Sequence, residues 1–161
     1  MPIAQLVLVF DPFSEESAAI TRTLRAFAGA HKRDVNVEVI CMGDDAVSDA
    51  AARGFAALRS LRPNDALQFA AAIHEAHLER HESLGDARTY RRIARDAALD
   101  DAEIAQRFGS LEFAAAAADD VARAHALGVN GAPAVLLRNA ARYERVPTVS
   151  GEELARVSLG V

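Results

Sequence analysis

Polar and apolar positions change period several times along this chain, and each change marks a predicted element. Leu6 to Phe10 is a short aliphatic run, long enough for one strand, and Asp11-Pro12 ends it. From Ser14 to about Lys32 the apolar positions Ile20, Leu24 and Phe27 recur at spacings of four and three, which predicts a helix. Ser14 suits the N-cap of that helix, and Glu15 and Glu16 suit its first turn, where the free backbone N–H groups favour negative charge. Val35, Val37 and Val39 alternate with polar Asn36 and Glu38, a strand signature. The first part of the chain therefore reads β-α-β.

A long helical region follows. Asp65 with Gln68 reads as a capping box ahead of Leu67 and Ile73, and Asp100 with Glu103 opens a further helix. Leu111 to Leu127 is Ala-rich, and Gly128 stands where a glycine terminates a helix. The period then changes again. Ala134–Leu137 and Tyr143–Val149 read as strands joined by a turn at Arg138–Ala141, and Ser150 with Glu153 caps a last helix carrying Leu154 and Val157. No Pro- or Gly-rich linker interrupts the chain. The expected organisation is one α/β domain over 1–161 in the order β-α-β, helices, β-β-α, with a helical insertion over about 44–128.

Composition narrows the function classes. A chain of 161 residues buries roughly 70% of its unfolded surface, so it needs no disulfide or metal to hold it together. The net charge is -5 and no long basic run occurs, which argues against a nucleic-acid surface. The single cysteine, Cys41, excludes a dithiol mechanism within one chain and leaves only a mixed disulfide. The start, MPIAQLVLVF, lacks a basic n-region, and its apolar run is short for a signal peptide; no segment is long and apolar enough to cross a membrane. A soluble cytoplasmic protein is expected.

Two segments carry a resemblance. Asp11-Pro12-Phe13-Ser14-Glu15-Glu16-Ser17, at the end of the first strand, is similar to the D-P-x-C-x-x-C segment of cytoplasmic DsbA-like proteins of the FrnE type, with Ser14 and Ser17 in the two cysteine positions. Gly128-Val129-Asn130-Gly131-Ala132-Pro133 resembles the G-V-x-G-x-P segment that leads into the third strand of that family, where the proline is cis. The element order resembles the same family over nearly the whole chain. The resemblance implies a thioredoxin-like fold with a helical insertion of the DsbA kind, and a groove formed by Pro12, Phe13, Ala132 and Pro133. The departure from the family pattern removes its chemistry. A CxxC pair works because its first thiol ionises at a helix N-terminus, and a serine hydroxyl neither ionises near neutral pH nor forms disulfides.

Ser14 then has two readings, with Ser17 beside it. The kappa-class glutathione transferases and the 2-hydroxychromene-2-carboxylate isomerases carry a serine at this position, and its hydroxyl donates to the glutathione thiolate; the resemblance makes Ser14 and Ser17 candidate catalytic residues and glutathione a candidate cofactor. The simpler reading makes Ser14 an N-cap, and it carries more weight, because Glu15 and Glu16 place two like charges where a thiolate would bind. The leading expectation is a non-redox binding domain for a peptide or a small thiol. The alternative is a glutathione-dependent transferase or isomerase using Ser14, and a homodimerisation module is a third class. Cys41 reads as a small buried hydrophobe. His74, His77 and His81 share a helical stripe, but His74-Glu75-Ala76-His77 is one residue short of the HExxH zinc motif, so no metal is expected. Arg88, Arg91, Arg92 and Arg95 read as a solvated face offset by Asp86 and Asp96, and nothing pairs Asp119 and Asp120 with another carboxylate as an acid/base couple.

Overall fold

The computed structural model describes residues Ile3–Met42 and Asp45–Val161. Its elements are β1 (Ala4–Phe10), α1 (Glu15–Ala30), β2 (Val35–Cys41), α2 (Ala46–Leu61), α3 (Ala66–Leu78), α4 (Ala87–Asp96), α5 (Asp101–Phe108), α6 (Leu111–Ala126), β3 (Ala134–Asn139), β4 (Arg142–Arg145) and α7 (Gly151–Leu159). The strands form one sheet in the order β2-β1-β3-β4. β1 pairs parallel with β2, from Ala4 opposite Val35 to Phe10 opposite Cys41, and antiparallel with β3, where Val9 faces Ala134. β3 and β4 form an antiparallel hairpin.

β1 is apolar on both faces because it lies inside the sheet with a core on each side. Leu6, Leu8 and Phe10 point into the larger core, with Leu24 and Phe27 of α1, Phe55 of α2, Ile73 of α3 and Leu154 of α7. Val7 and Val9 point the other way, into a smaller core with Ile40, Met42, Ala124, Val129 and Leu136. Helices α2 to α6 lie between β2 and β3 in sequence. Their alanines allow close approach: Ala51, Ala56, Ala57, Ala70 and Ala94 are all buried.

Most helix starts follow the sequence signals. Ser14, Asp45, Asp86, Asp100, Ser110 and Ser150 each accept backbone N–H groups of the first turn. The end of α6 is a Schellman motif: Gly128 has φ 82°, its N–H donates to the His125 carbonyl, and the Val129 N–H donates to the Ala124 carbonyl. Asp65 departs from expectation. A single 3-10 turn over Pro63–Asp65 precedes α3, and Asp65 makes no side-chain cap bond. Its ψ of 19° is not the extended value of a capping residue, and its carboxylate faces Arg62 instead, at 3.4 Å. The Tyr143–Val149 strand is also shorter than expected, ending at Arg145, two residues ahead of Pro147, which has no N–H to give a ladder.

The insertion is fastened to the sheet by an ion pair with one predominantly buried partner. Arg59 of α2 donates to both carboxylate oxygens of Asp120 in α6, at 2.9 and 3.0 Å, and to the Val39 carbonyl of β2 at 2.9 Å, while its guanidinium lies over the Phe55 ring. Burial raises the carboxyl of Asp120 above its ordinary value despite the arginine. The pair therefore adds little net stability over an apolar substitute, but removing one partner strands the other charge. Asp120→Ala is expected to lower the unfolding free energy by about 2 kcal/mol, less than for a fully buried pair because Arg59 keeps some solvent. Urea denaturation checks this, and an unchanged midpoint would show that water replaces the carboxylate fully.

Candidate functional site

The sheet register brings the two sequence motifs together. Phe10 and Cys41 end the parallel strands β1 and β2 side by side, and β3 begins beside Val9. The loop after β1 and the loop before β3 consequently meet at one end of the sheet, the place where open α/β sheets bind ligands.

The first loop is organised around Asp11. Its N–H donates to Ser17 Oγ at 2.9 Å, its carboxylate accepts the Phe13 N–H at 2.9 Å, and its carbonyl accepts the Ser14 N–H at 3.3 Å. Ser14 caps α1, accepting the Ser17 N–H at 3.1 Å. Ser17 is wholly buried, and its hydroxyl oxygen is the acceptor that holds Asp11. Pro12 is also buried, whereas Phe13 is half-buried with its ring edge against His77 at 4.8 Å. Glu15 and Glu16 are exposed, so solvent screens most of their effect on the α1 N-terminus.

The second loop carries a cis peptide bond between Ala132 and Pro133. Both residues are half-buried, and Arg145 donates to the Pro133 carbonyl at 3.2 Å. Among the described residues, neither the N–H nor the carbonyl of Ala132 takes part in a backbone hydrogen bond. Between the loops lies an open groove of about 350 Å³. Asp11 and Phe13 form one wall, Gly131 and Ala132 the other, and Met42, Asp45 and Ser48 close it from the end of β2 and the start of α2. Asp45 caps α2, and the Ser48 and Val47 N–H groups hold its carboxyl below the usual carboxylate value. Among the described residues, Asp11 and Asp45 thus line the groove and no lysine or arginine does.

Of the sequence candidates, Phe13 and Ala132 line the groove, while Pro12, Ser17 and Pro133 do not, and Ser14 sits at the helix cap beside Phe13. Met42, Asp45 and Ser48 escaped the sequence reading. Asp45 ahead of the Ala-rich α2 is a readable cap, but its place in one groove with Gly131 follows only from the sheet.

Cys41 offers no replacement chemistry. It is fully buried, and burial raises its thiol well above the ordinary value, with Asp120 and Asp11 adding to the effect and Arg59 opposing it. A buried thiol kept protonated is a poor nucleophile. The three histidines do not converge: His74 is buried, His77 packs on Phe13, and His81 lies beyond the end of α3 with φ 54°. Among the described residues no group of three or more His, Cys, Asp or Glu side chains is placed to hold a metal. The arginines of α4 are engaged in ion pairs: Arg88 with Asp86, Arg91 and Arg95 with Asp101, and Arg92 with Glu82 and Asp96. No described helix is long and apolar enough to cross a membrane.

A helix N-terminus after the first strand, facing a cis-proline loop before an antiparallel strand, defines a thioredoxin-class site. The chain belongs to the DsbA-like thioredoxin domain family, whose model matches residues 17–155, and it is a DsbA-like thioredoxin fold with a helical insertion. It lacks that family's redox pair, since Cys41 is its one cysteine. Solved structures agree on the fold. A Nitrosomonas europaea protein provisionally described as a protein disulfide isomerase matches with TM-score 0.84 at 15% identity, over 99% of this chain and 97% of that one. Pseudomonas aeruginosa DsbA matches with TM-score 0.74 at 15% identity, over 96% and 80% of the two chains. The cytosolic disulfide reductase DsbM from Pseudomonas aeruginosa matches with TM-score 0.71 at 15% identity, over 88% of each. No curated protein matches the chain.

Proposed function

We propose that this domain is a non-redox peptide-binding member of its family, holding an extended segment with a basic side chain in the groove between Phe13 and Ala132. The observation that carries the reading is the Ala132 backbone, whose N–H and carbonyl have no backbone partner among the described residues and lie on the wall of an open groove. Such a backbone can add a strand of partner peptide, and neighbouring pockets then select side chains. Phe13 supplies an apolar surface, and Asp11 and Asp45 favour lysine or arginine over an acidic residue. The reading suits a cytoplasmic domain, a setting shared with the DsbM neighbour.

Glutathione fits the groove less well. Ser14 Oγ accepts the Ser17 N–H and keeps its own proton for a thiolate, which favours the transferase reading. Glutathione also brings two carboxylates, and among the described residues the groove lining offers them Asp11 and Asp45 rather than a cation. Fluorescence anisotropy with a labelled alanine-valine octapeptide carrying one central arginine tests the proposal. The arginine peptide is expected to bind about tenfold more tightly than the same peptide with a central glutamate, equivalent to about 1.4 kcal/mol. No binding of either peptide, together with a calorimetric glutathione signal abolished by Ser14→Ala, would overturn the peptide reading in favour of the transferase.

A further inference from the structure

Besides Asp45 and Ser48 at the start of α2, the helical insertion reaches the groove wall through a buried side chain of α3. His74 of α3 is 3% exposed, and its ring lies edge-on to Phe10 at 5.3 Å. Its Nε2 donates to the Asp11 carbonyl at 3.0 Å, which places the proton of the neutral ring on Nε2. Asp11 is the residue on which the turn is built, through Ser17, Ser14 and Phe13, and it also lines the groove. The other ring nitrogen, Nδ1, is buried without a hydrogen-bond partner.

We infer that His74 is a proton-sensitive positioning residue: neutral, it holds the Asp11–Ser14 wall of the groove in its binding shape, and protonated, it lets that wall go. This role deepens the groove reading and rests on it for its effect on a ligand. The physical reason is the surroundings of the ring. A second proton would sit on Nδ1, on the side of the Ala70 carbonyl, which is already the acceptor of the α3 hydrogen-bond ladder one turn earlier. The charged groups that face the ring are the Asp11 carboxylate from the loop and Arg22 from α1. A small cavity beside it, about 140 Å³, is lined in addition by Arg25 of α1 and by Glu75 and Glu79 of α3. Burial outweighs the help of Asp11 and Ala70, and Arg22 acts with it, so the imidazole titrates below its ordinary 6.5.

The linkage has a definite sign. Above about pH 6.5 the ring is neutral whether the turn is closed or open, and pH has no effect. As the pH falls below that value, an open turn with a solvated imidazole takes the proton first and is favoured. The closed wall loses ground until the pH passes the lower value of the buried ring.

Backbone amide NMR of the whole chain, from about pH 8 to about pH 5, tests this. The Phe13, Ser14 and Ser17 amides are expected to move together, with one midpoint below 6.5 shared with the His74 ring. His74→Gln keeps an N–H donor near the place of Nε2 but does not titrate. It is expected to retain the amide positions seen at high pH and to abolish their midpoint, while His125→Gln, on the exposed face of α6, leaves the midpoint unchanged. Flat amides in the native chain, or an unchanged midpoint in His74→Gln, overturn the role. Should His74→Gln fail to fold, the native chain still decides, because amide and ring midpoints that differ overturn it too. Anisotropy with the arginine octapeptide separates this role from the groove reading. Several-fold weaker binding near pH 5.5 than near pH 7.5, absent in His74→Gln, supports both. Titrating amides with no peptide binding leave the positioning of the turn standing and remove the peptide. Peptide binding with flat amides removes the role of His74 alone.

Discussion

Gly54→Ala is expected to lower the unfolding free energy by about 3 kcal/mol, although helix propensity alone favours alanine over glycine by about 1 kcal/mol. A Cβ at Gly54 would lie 2.2 Å from Tyr90 Cε1 and 2.4 Å from Cζ, well inside contact distance. The ring has nowhere to retreat. Tyr90 is fully buried, its hydroxyl donates to the Leu84 carbonyl, and its face stacks on Phe108 at 5.0 Å. Phe108 is in turn covered by the Arg53 guanidinium. Any shift that relieves the clash weakens the hydroxyl bond of a fully buried ring. For a domain of this size the melting temperature should fall by about 6–12 °C. Calorimetry on the single variant and on Gly54→Ala in a Tyr90→Leu background measures the coupling. A rise in melting temperature for the single variant would show that α2 and α4 are not packed as described.

The second large effect is a gain. Converting both Ser14→Cys and Ser17→Cys should confer insulin-reducing activity on a chain that lacks the redox cysteine pair, since the fold still presents the right frame. Ser14 occupies the N-cap of α1, where free N–H groups and the helix dipole stabilise a thiolate, and Ser17 is the buried residue one turn later. The thiol at position 14 is expected to have a pKa below that of an ordinary thiol, with the drop limited by exposed Glu15 and Glu16, which oppose the charge. Replacing both glutamates by glutamine should lower that value and speed thiol exchange. The second substitution removes the Ser17 acceptor of the Asp11 N–H, a loss of about 1 kcal/mol, so thermal stability must be followed in the reduced form. Free thiols that persist after treatment with oxidised glutathione would show that the turn has drifted from disulfide geometry. Cys41 does not interfere, being buried and protonated.

These two experiments probe different levels of the molecule. The serine pair and its position at a helix start are sequence features, and so is the absence of dithiol chemistry. The tight contact at Gly54 is not, because Gly54 and Tyr90 are far apart in the chain and on different helices. A glycine inside a helical pattern signals a close approach without naming the neighbour.

The same division runs through the site. The strand–turn–helix at Phe10–Ser17 was legible because its cues are local: an aliphatic run, a proline, a capping serine and two acids. The helix end at Gly128 and the small residues before β3 were legible for the same reason. Asp65 misled because a capping box is a pattern of residue types, whereas a cap needs an extended backbone that the preceding 3-10 turn denies it. The β4 end misled because apolar alternation continues past the proline that stops the ladder.

What the sequence by itself determined is the class of domain and the chemistry it has lost, since periodicity, caps and cysteine count are properties of short stretches. The tertiary structure alone decided what the site presents. Sheet pairing set Ala132 across from Phe13, the return of α2 brought Asp45 to the groove beside Asp11, and the packing of α3 put His74 under the Asp11 carbonyl. Each of these joins residues distant in the chain, and long-range register is fixed by burial of whole faces rather than by any local pattern.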